Sequence, residues 1–127
     1  MNINFNKDIS ILNIKLMKDY KMNLLDYQRD SKETAVYPQE MAIEYLTLKL
    51  AGEAGEVAEA YGKCLRGDYD IDTCRDKVEK ELGDVLWYVA QLCTEWDLSL
   101  NTIAHKNLDK LQDRKDRGVL KGSGDER

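Results

Sequence analysis

Two short strings carry the residue types for phosphate chemistry: Glu53-Ala-Gly-Glu56 and Glu81-Leu-Gly-Asp84. Acidic residues three positions apart on a helix lie within about 60° of each other and roughly one turn apart, so each pair projects from one flank of its helix. Both pairs border an apolar stripe. If two such helices pack antiparallel through those stripes, the four carboxylates converge on one cleft at the edge of the core. Gathered there they repel one another and hold protons above the ordinary carboxylate value of about 4 unless a positive charge offsets them. A divalent cation does this. Hard oxygen donors without histidine or cysteine suit magnesium, with manganese as the alternative, and magnesium draws further ligands from substrate phosphates. The chemistry that follows is attack of a metal-held water on phosphorus, with a spare carboxylate as general base.

The residues alone leave a second reading open, because acidic pairs at this spacing are also common on solvated helix faces. Di-iron chemistry is set aside. It needs Glu-x-x-His on its helices, whereas the fourth positions here are Glu56 and Asp84, and the single histidine, His105, lies on a later segment. His105 reads as a surface or packing residue.

The elements that must position the carboxylates are legible as helices. Over residues 39–66, Ile43, Leu46, Leu50, Ala54, Val57, Tyr61 and Leu65 recur every three or four positions, which predicts a core-facing helix. Its glycines Gly52, Gly55 and Gly62 each cost about 1 kcal/mol relative to alanine, which points to close approach of a backbone or a ligand. The polar run 67–72 reads as a turn, with Asp72 or Thr73 capping a helix that ends near Trp96. Its stripe is Val78, Leu82, Val85, Leu86, Val89, Leu92, Cys93 and Trp96. Ser99 caps a last helix over about 100–114, and the short connection 97–99 makes it an antiparallel neighbour. Ahead of the first long helix, a short one is expected over 23–33, ended by a loop because Pro38 disfavours helix at Tyr37.

The fold class that results is all-α, a bundle of about four helices. Residues 1–21 form an N-terminal arm without a strong amphipathic face, 22–117 the helical domain, and 118–127 a glycine-rich C-terminal tail, either a lid or a flexible end. Helices of unequal apolarity leave a stripe of Leu, Val and aromatic residues that a homo-oligomer, dimer or tetramer, would cover.

The 127 residues suffice for one domain with its own core, and a composition that is 43% hydrophobic and 34% charged with a single proline fits a mainly helical protein. A formal net charge of −5 argues against nucleic acid or an anionic membrane as partner. Nowhere do about 18 apolar residues run together, and the N-terminus lacks the apolar centre of a signal peptide, so a cytoplasmic protein is expected. Cys64, Cys74 and Cys93 make an odd count without metal-binding spacing, and are read as free thiols in a reducing compartment.

At these carboxylates the sequence resembles the MazG-like family of all-α nucleoside triphosphate pyrophosphohydrolases, whose signature is ExxE, a spacer, then ExxD. LAGEAGEVAEA at Leu50 to Ala60, ELGDVLWYVAQL at Glu81 to Leu92, NLDKLQDRKDRG at Asn107 to Gly118 and the ending KGSGDER all share in the likeness. It covers about Met22 to Arg127. The resemblance implies magnesium-dependent hydrolysis of a ribo- or deoxyribonucleoside triphosphate to the monophosphate and pyrophosphate, as in nucleotide pool cleansing. It makes Glu53, Glu56, Glu81 and Asp84 the metal ligands, with Glu53 or Glu56 activating the attacking water. Tyr88 would face the phosphates, Asn107 and Lys110 would hold phosphate oxygens, and Lys63 and Arg66 fall where relatives often carry basic residues. Tyr61 and Cys64 depart from the more common basic run there. Trp87 either stacks a base or packs against a neighbouring subunit, and Arg127 would close with the tail on bound nucleotide. The reading from another class is a non-catalytic helical interaction or nucleotide-binding module, against which all four ligand positions being acidic speaks.

Overall fold

The computed structural model describes residues 21–125, so residues 1–20 of the N-terminal arm and the last two residues, Glu126 and Arg127, lie outside the described residues. Four α-helices are described, α1 (Leu24–Ser31), α2 (Ala42–Arg66), α3 (Ile71–Glu95) and α4 (Leu100–Asp116), with two single 3-10 turns at Lys32–Thr34 and Gln39–Met41 and no strand among the described residues. The fold is the all-α class that the helical spacing predicts.

Each boundary has a local cause. Asn23 caps α1 by accepting from the Asp26 N–H at 2.9 Å, and Ser99 caps α4 through Thr102 at 3.2 Å. Pro38 sits extended ahead of the second 3-10 turn, the break its ring imposes. Gly67 closes α2 with φ 86°, a left-handed conformation that a side chain disfavours, and its N–H and that of Asp68 return to the Cys64 and Lys63 carbonyls. α3 starts earlier than the sequence reading had it. Asp70, rather than Asp72 or Thr73, is the cap, with Oδ1 2.7 Å from the Thr73 N–H, because Asp70 is the last extended residue before the free amides.

α2 and α3 form a long antiparallel hairpin joined by the turn at 67–70, and α1 lies across α3 and α4 at the end away from that turn. The core is therefore concentrated at one end. Tyr37, Ala42 and Leu46 make one buried cluster, backed by Ala35, Trp87, Tyr88 and Leu92, while Ala90, Cys93 and Leu100 make a second against Leu24, Tyr27 and Val89. Leu46 is fully buried, and truncating such a side chain to alanine costs about 2–5 kcal/mol.

Polar ties lock α1 and its following turn onto this end. The Trp87 indole N–H donates to the Ser31 carbonyl and to Thr34 Oγ1, at 3.2 and 2.8 Å. Buried Gln91 donates to Ser31 Oγ at 2.8 Å, and the Tyr37 hydroxyl donates to Glu95 at 2.5 Å. Gln28 spans the junction with α4, accepting from the Leu100 N–H at 2.8 Å and donating to the Leu98 carbonyl at 2.9 Å.

Three expectations change. The stripes of α2 and α3 are not buried along their whole length: Tyr61, Leu65 and Leu82 are exposed in the single chain because α1 and α4 cover only the far end of the hairpin, and Leu86 and Trp96 are exposed as well. The glycines Gly52, Gly55 and Gly62 have open space where a Cβ would stand, so among the described residues no other part of the chain approaches them closely. The cysteines are not all free. Cys64 and Cys74 are joined in a disulfide with their Cα atoms 5.7 Å apart, and only Cys93 is a free, buried thiol. An odd count excludes a complete framework but not one bridge, and the hairpin places these two residues opposite each other across its turn.

Candidate metal and phosphate site

The hairpin brings the acidic pairs together. Glu53 on α2 and Glu81 and Asp84 on α3 each offer a carboxylate oxygen, and these oxygens lie within 4.8 Å of one another. Their burial is graded: Glu53 is buried, Glu81 half-buried and Asp84 exposed, so the cluster opens from the helix interface toward solvent. Burial raises the Glu81 carboxyl above its ordinary value, and the negative charges of Glu56, Asp84 and Glu53 push it further the same way. Glu56 lies outside the triad but close enough to Glu81 for a side-chain hydrogen bond. The donor set fits a hard divalent cation: three converging carboxylates, no nitrogen or sulfur, and mutual repulsion that a cation would offset. Glu53, Glu81 and Asp84 are the residues that could hold it, with Glu56 beside them.

Tyr27 of α1 has its phenol raised by burial and then by the charge of Asp84. To one side of the triad, Lys49 sets its ammonium 3.3 Å from Glu53 Oε1 and 5.8 Å from the centre of the Tyr88 ring. The aromatic rings continue that way. Trp87 and Tyr88 meet edge to face at 4.9 Å, Tyr37 meets Trp87 at 6.3 Å, and Tyr37 and Tyr45 stack at 6.4 Å. Trp87 packs against Tyr37 and Tyr88 within its own chain and gives its indole N–H to Ser31 and Thr34.

Toward the turn, a cavity of about 180 Å³ opens beside the acidic cluster, lined by Glu56, Glu59, Lys63, Tyr69, Lys77 and Glu81 with Ala60 at its base. Lys63 pairs with Glu59 at 2.7 Å, which holds the Glu59 carboxyl below its ordinary value. Lys77 stands 4.6 Å over the Tyr69 ring.

Two residues singled out from the sequence, Arg66 and Lys110, have partners elsewhere. Arg66 is engaged with Asp68 at the turn rather than turned into the cavity. On α4, Asn107 is exposed, and Lys110 lies 3.4 Å from Asp125 of the tail. The tail is folded back in place: Arg114, nearly buried, donates to the Gly124 and Asp125 carbonyls at 3.3 and 3.0 Å and pairs with Asp125 Oδ1 at 3.2 Å. Three residues beside the carboxylates, Lys49, Lys77 and Tyr69, were missed. The signal was present for two of them, since Lys49 precedes Glu53 and Lys77 precedes Glu81 by one helical turn, on the same face as the ligand.

The MazG nucleotide pyrophosphohydrolase domain model matches residues 41–119, which contain the whole hairpin and α4. The Gene 37 protein of Mycobacterium phage L5 is 47% identical over 109 residues, covering 80% of this chain and 96% of that protein. No solved structure matches at a significant level. With the helical hairpin, the converged carboxylates and the matched span in agreement, the chain belongs to the MazG nucleotide pyrophosphohydrolase domain family.

Proposed function

We propose that this protein is a magnesium-dependent nucleoside triphosphate pyrophosphohydrolase, converting a ribo- or deoxyribonucleoside triphosphate to the monophosphate and pyrophosphate. The carrying observation is the convergence of Glu53, Glu81 and Asp84 within 4.8 Å in a chain of this family. Four acidic side chains at one edge of a helix interface are electrostatically unfavourable, and a cation bridging to substrate phosphates gives their placement a function. Magnesium held there, or manganese in its place, supplies the positive charge that offsets charge developing on the phosphates and acidifies water.

The chain's own residues do the rest. Glu56 lies beside the triad rather than within it and is left to accept a proton, so it is assigned as general base. The water oxygen forms its bond to the α-phosphorus as the bond from that phosphorus to the bridging oxygen breaks. One water proton passes to Glu56, and the bridging oxygen leaves with pyrophosphate. Glu53, fixed by burial and by Lys49, orients the site from its closed side. In this reading residues 22–117 are the catalytic domain and the protein works on the cytoplasmic nucleotide pool. A homo-oligomer covers the exposed face of Tyr61, Leu65, Leu82 and Leu86. Among the described residues no helix is long and apolar enough to cross a membrane.

The test is pyrophosphate release from a panel of ribo- and deoxyribonucleoside triphosphates, with and without magnesium, beside Glu53→Gln and Asp84→Asn. Release that requires magnesium and falls at least about a hundredfold in both variants is the expected result. A folded protein that releases no pyrophosphate from any triphosphate overturns the hydrolase reading in favour of a non-catalytic nucleotide-binding module.

A further inference from the structure

The cleft that carries the carboxylates has two unlike ends. From the triad toward the hairpin turn the wall is charged and polar: Lys63, Lys77 and Tyr69 stand around a cavity of about 180 Å³ whose carboxylates are Glu56 and Glu81 on the metal-binding side and Glu59, already paired with Lys63. From the triad the other way the wall is aromatic, with Tyr88 one turn past Asp84, then Tyr45 and Tyr37. Lys49 is the cation at that end, and it is committed to Glu53.

A nucleoside triphosphate is equally unlike at its two ends, since the β and γ phosphates carry most of the charge and the nucleoside carries the apolar, stackable surface. We infer that the cavity between Lys63, Tyr69 and Lys77 receives the β and γ phosphates and holds the leaving pyrophosphate, so that the substrate lies along the hairpin with its nucleoside toward Tyr45 and Tyr88; Tyr88 then meets the nucleoside instead of the phosphates that the family resemblance gives it. The inference rests on the pyrophosphohydrolase reading and deepens it by giving the substrate a direction.

The two lysines are differently prepared for the role. Among the described residues Lys77 pairs with no carboxylate; its ammonium rests over the Tyr69 ring, a cation–π contact that leaves its N–H donors available to phosphate oxygens. Lys63 gives one of its three donors to Glu59 at 2.7 Å, which holds it at the cavity's rim. Glu59 is in this sense a positioning residue. The cavity shares Glu56 and Glu81 with the acidic cluster, so an anion seated in it touches the metal-binding edge on one side and the lysines on the other. On this geometry the α-phosphorus lies at the triad, and the bond that breaks frees its leaving group directly into the lysine-lined space.

The experiment measures inorganic pyrophosphate and a nucleoside monophosphate as separate ligands, by calorimetry in magnesium buffer, which needs no turnover. For Lys77→Ala the pyrophosphate dissociation constant is expected to rise about tenfold or more, the loss of a charge-assisted contact, with monophosphate binding changed less than about twofold. Tyr88→Ala is expected to show the converse. Lys77→Arg, which restores charge, recovers most of the pyrophosphate affinity and controls for misfolding. Equal losses for both ligands, a loss confined to the monophosphate, or no measurable pyrophosphate binding by the unaltered protein each overturn the inference. Lys77-dependent pyrophosphate binding by a protein that hydrolyses no triphosphate would sustain the cavity assignment while sinking the hydrolase. Turnover with pyrophosphate binding indifferent to Lys77 would do the reverse.

Discussion

The ammonium of Lys49 lies 3.3 Å from Glu53 Oε1, so the most buried carboxylate of the acidic triad already has a counter-charge from its own helix. The ammonium and a bound cation compete for the same oxygens. Two unit charges about 4 Å apart in a well-solvated cleft interact by about 1 kcal/mol, a factor of about five in a binding constant. Lys49→Met is therefore expected to tighten manganese binding about fivefold in calorimetry while raising KM for the triphosphate. Weaker metal binding in the variant would mean that Lys49 organises the site rather than competing for it.

The C-terminal tail is held by charge and should let go in acid. The Arg114 guanidinium, and after it Lys110, holds the Asp125 carboxyl below its ordinary value. A carboxyl depressed by folding contributes stability that is present above its unfolded value, 3.8, and is lost as pH falls through the lower folded value. Amide exchange over residues 119–125, corrected for intrinsic rates, should thus rise as pH falls below that unfolded value. Asp125→Asn should show the fast exchange already at neutral pH. Exchange unaltered by either change would mean that the Arg114 bonds to the Gly124 and Asp125 carbonyls suffice.

The Cys64–Cys74 bridge closes a loop with a sequence separation of 10, for which chain-entropy arguments give about 2–3 kcal/mol of stabilisation. Cys74→Ser should lose that amount in chemical denaturation, and the unaltered protein in excess thiol should match it. Intact-mass measurement without reductant gives an independent check, because the bridged chain is lighter by two hydrogens. A protein whose stability ignores thiol has no such bridge in solution.

The apolar groove formed by Tyr61, Ile71, Val78 and Leu82 on the outer face of the hairpin tests the assembly. Leu82 is 52% exposed in the single chain, so Leu82→Glu costs little within it. In a homo-oligomer the same change buries an unpaired charge at the interface, which costs several kcal/mol. Light scattering should then report a dimer or tetramer for the unaltered protein and a monomer for the variant. A monomer in both would leave that face without a partner copy.

The four helices and the carboxylate cleft were legible in the sequence because both depend on local periodicity. Apolar spacing on α2 and α3 gave the helices, and the three-residue spacing within each acidic pair gave their common flank. The turn chemistry was partly readable: Ser99 and Pro38 act as their types dictate, whereas the choice among Asp70, Asp72 and Thr73 depended on where Gly67 ended the preceding helix. What could not be read was anything set by the distance between elements. Tyr61 and Leu65 continue the same stripe as Leu46, yet α1 and α4 reach only the Leu46 end. Cys64 and Cys74 became partners because the hairpin register set them opposite each other, and Lys77 became part of the cavity because Tyr69 folds back over it. The indole N–H of Trp87 reaches Ser31 and Thr34 across the interface of two elements, a partnership that no local spacing announces.

All of the carboxylates lie on two consecutive helices joined by one short turn. Little loop entropy has to be lost to bring them together, and contacts of such low sequence separation form early and fast. Closing the α2–α3 hairpin is therefore enough in itself to gather the acidic cluster, and neither α1 nor the Gln28 bond to the start of α4 contributes a carboxylate to it.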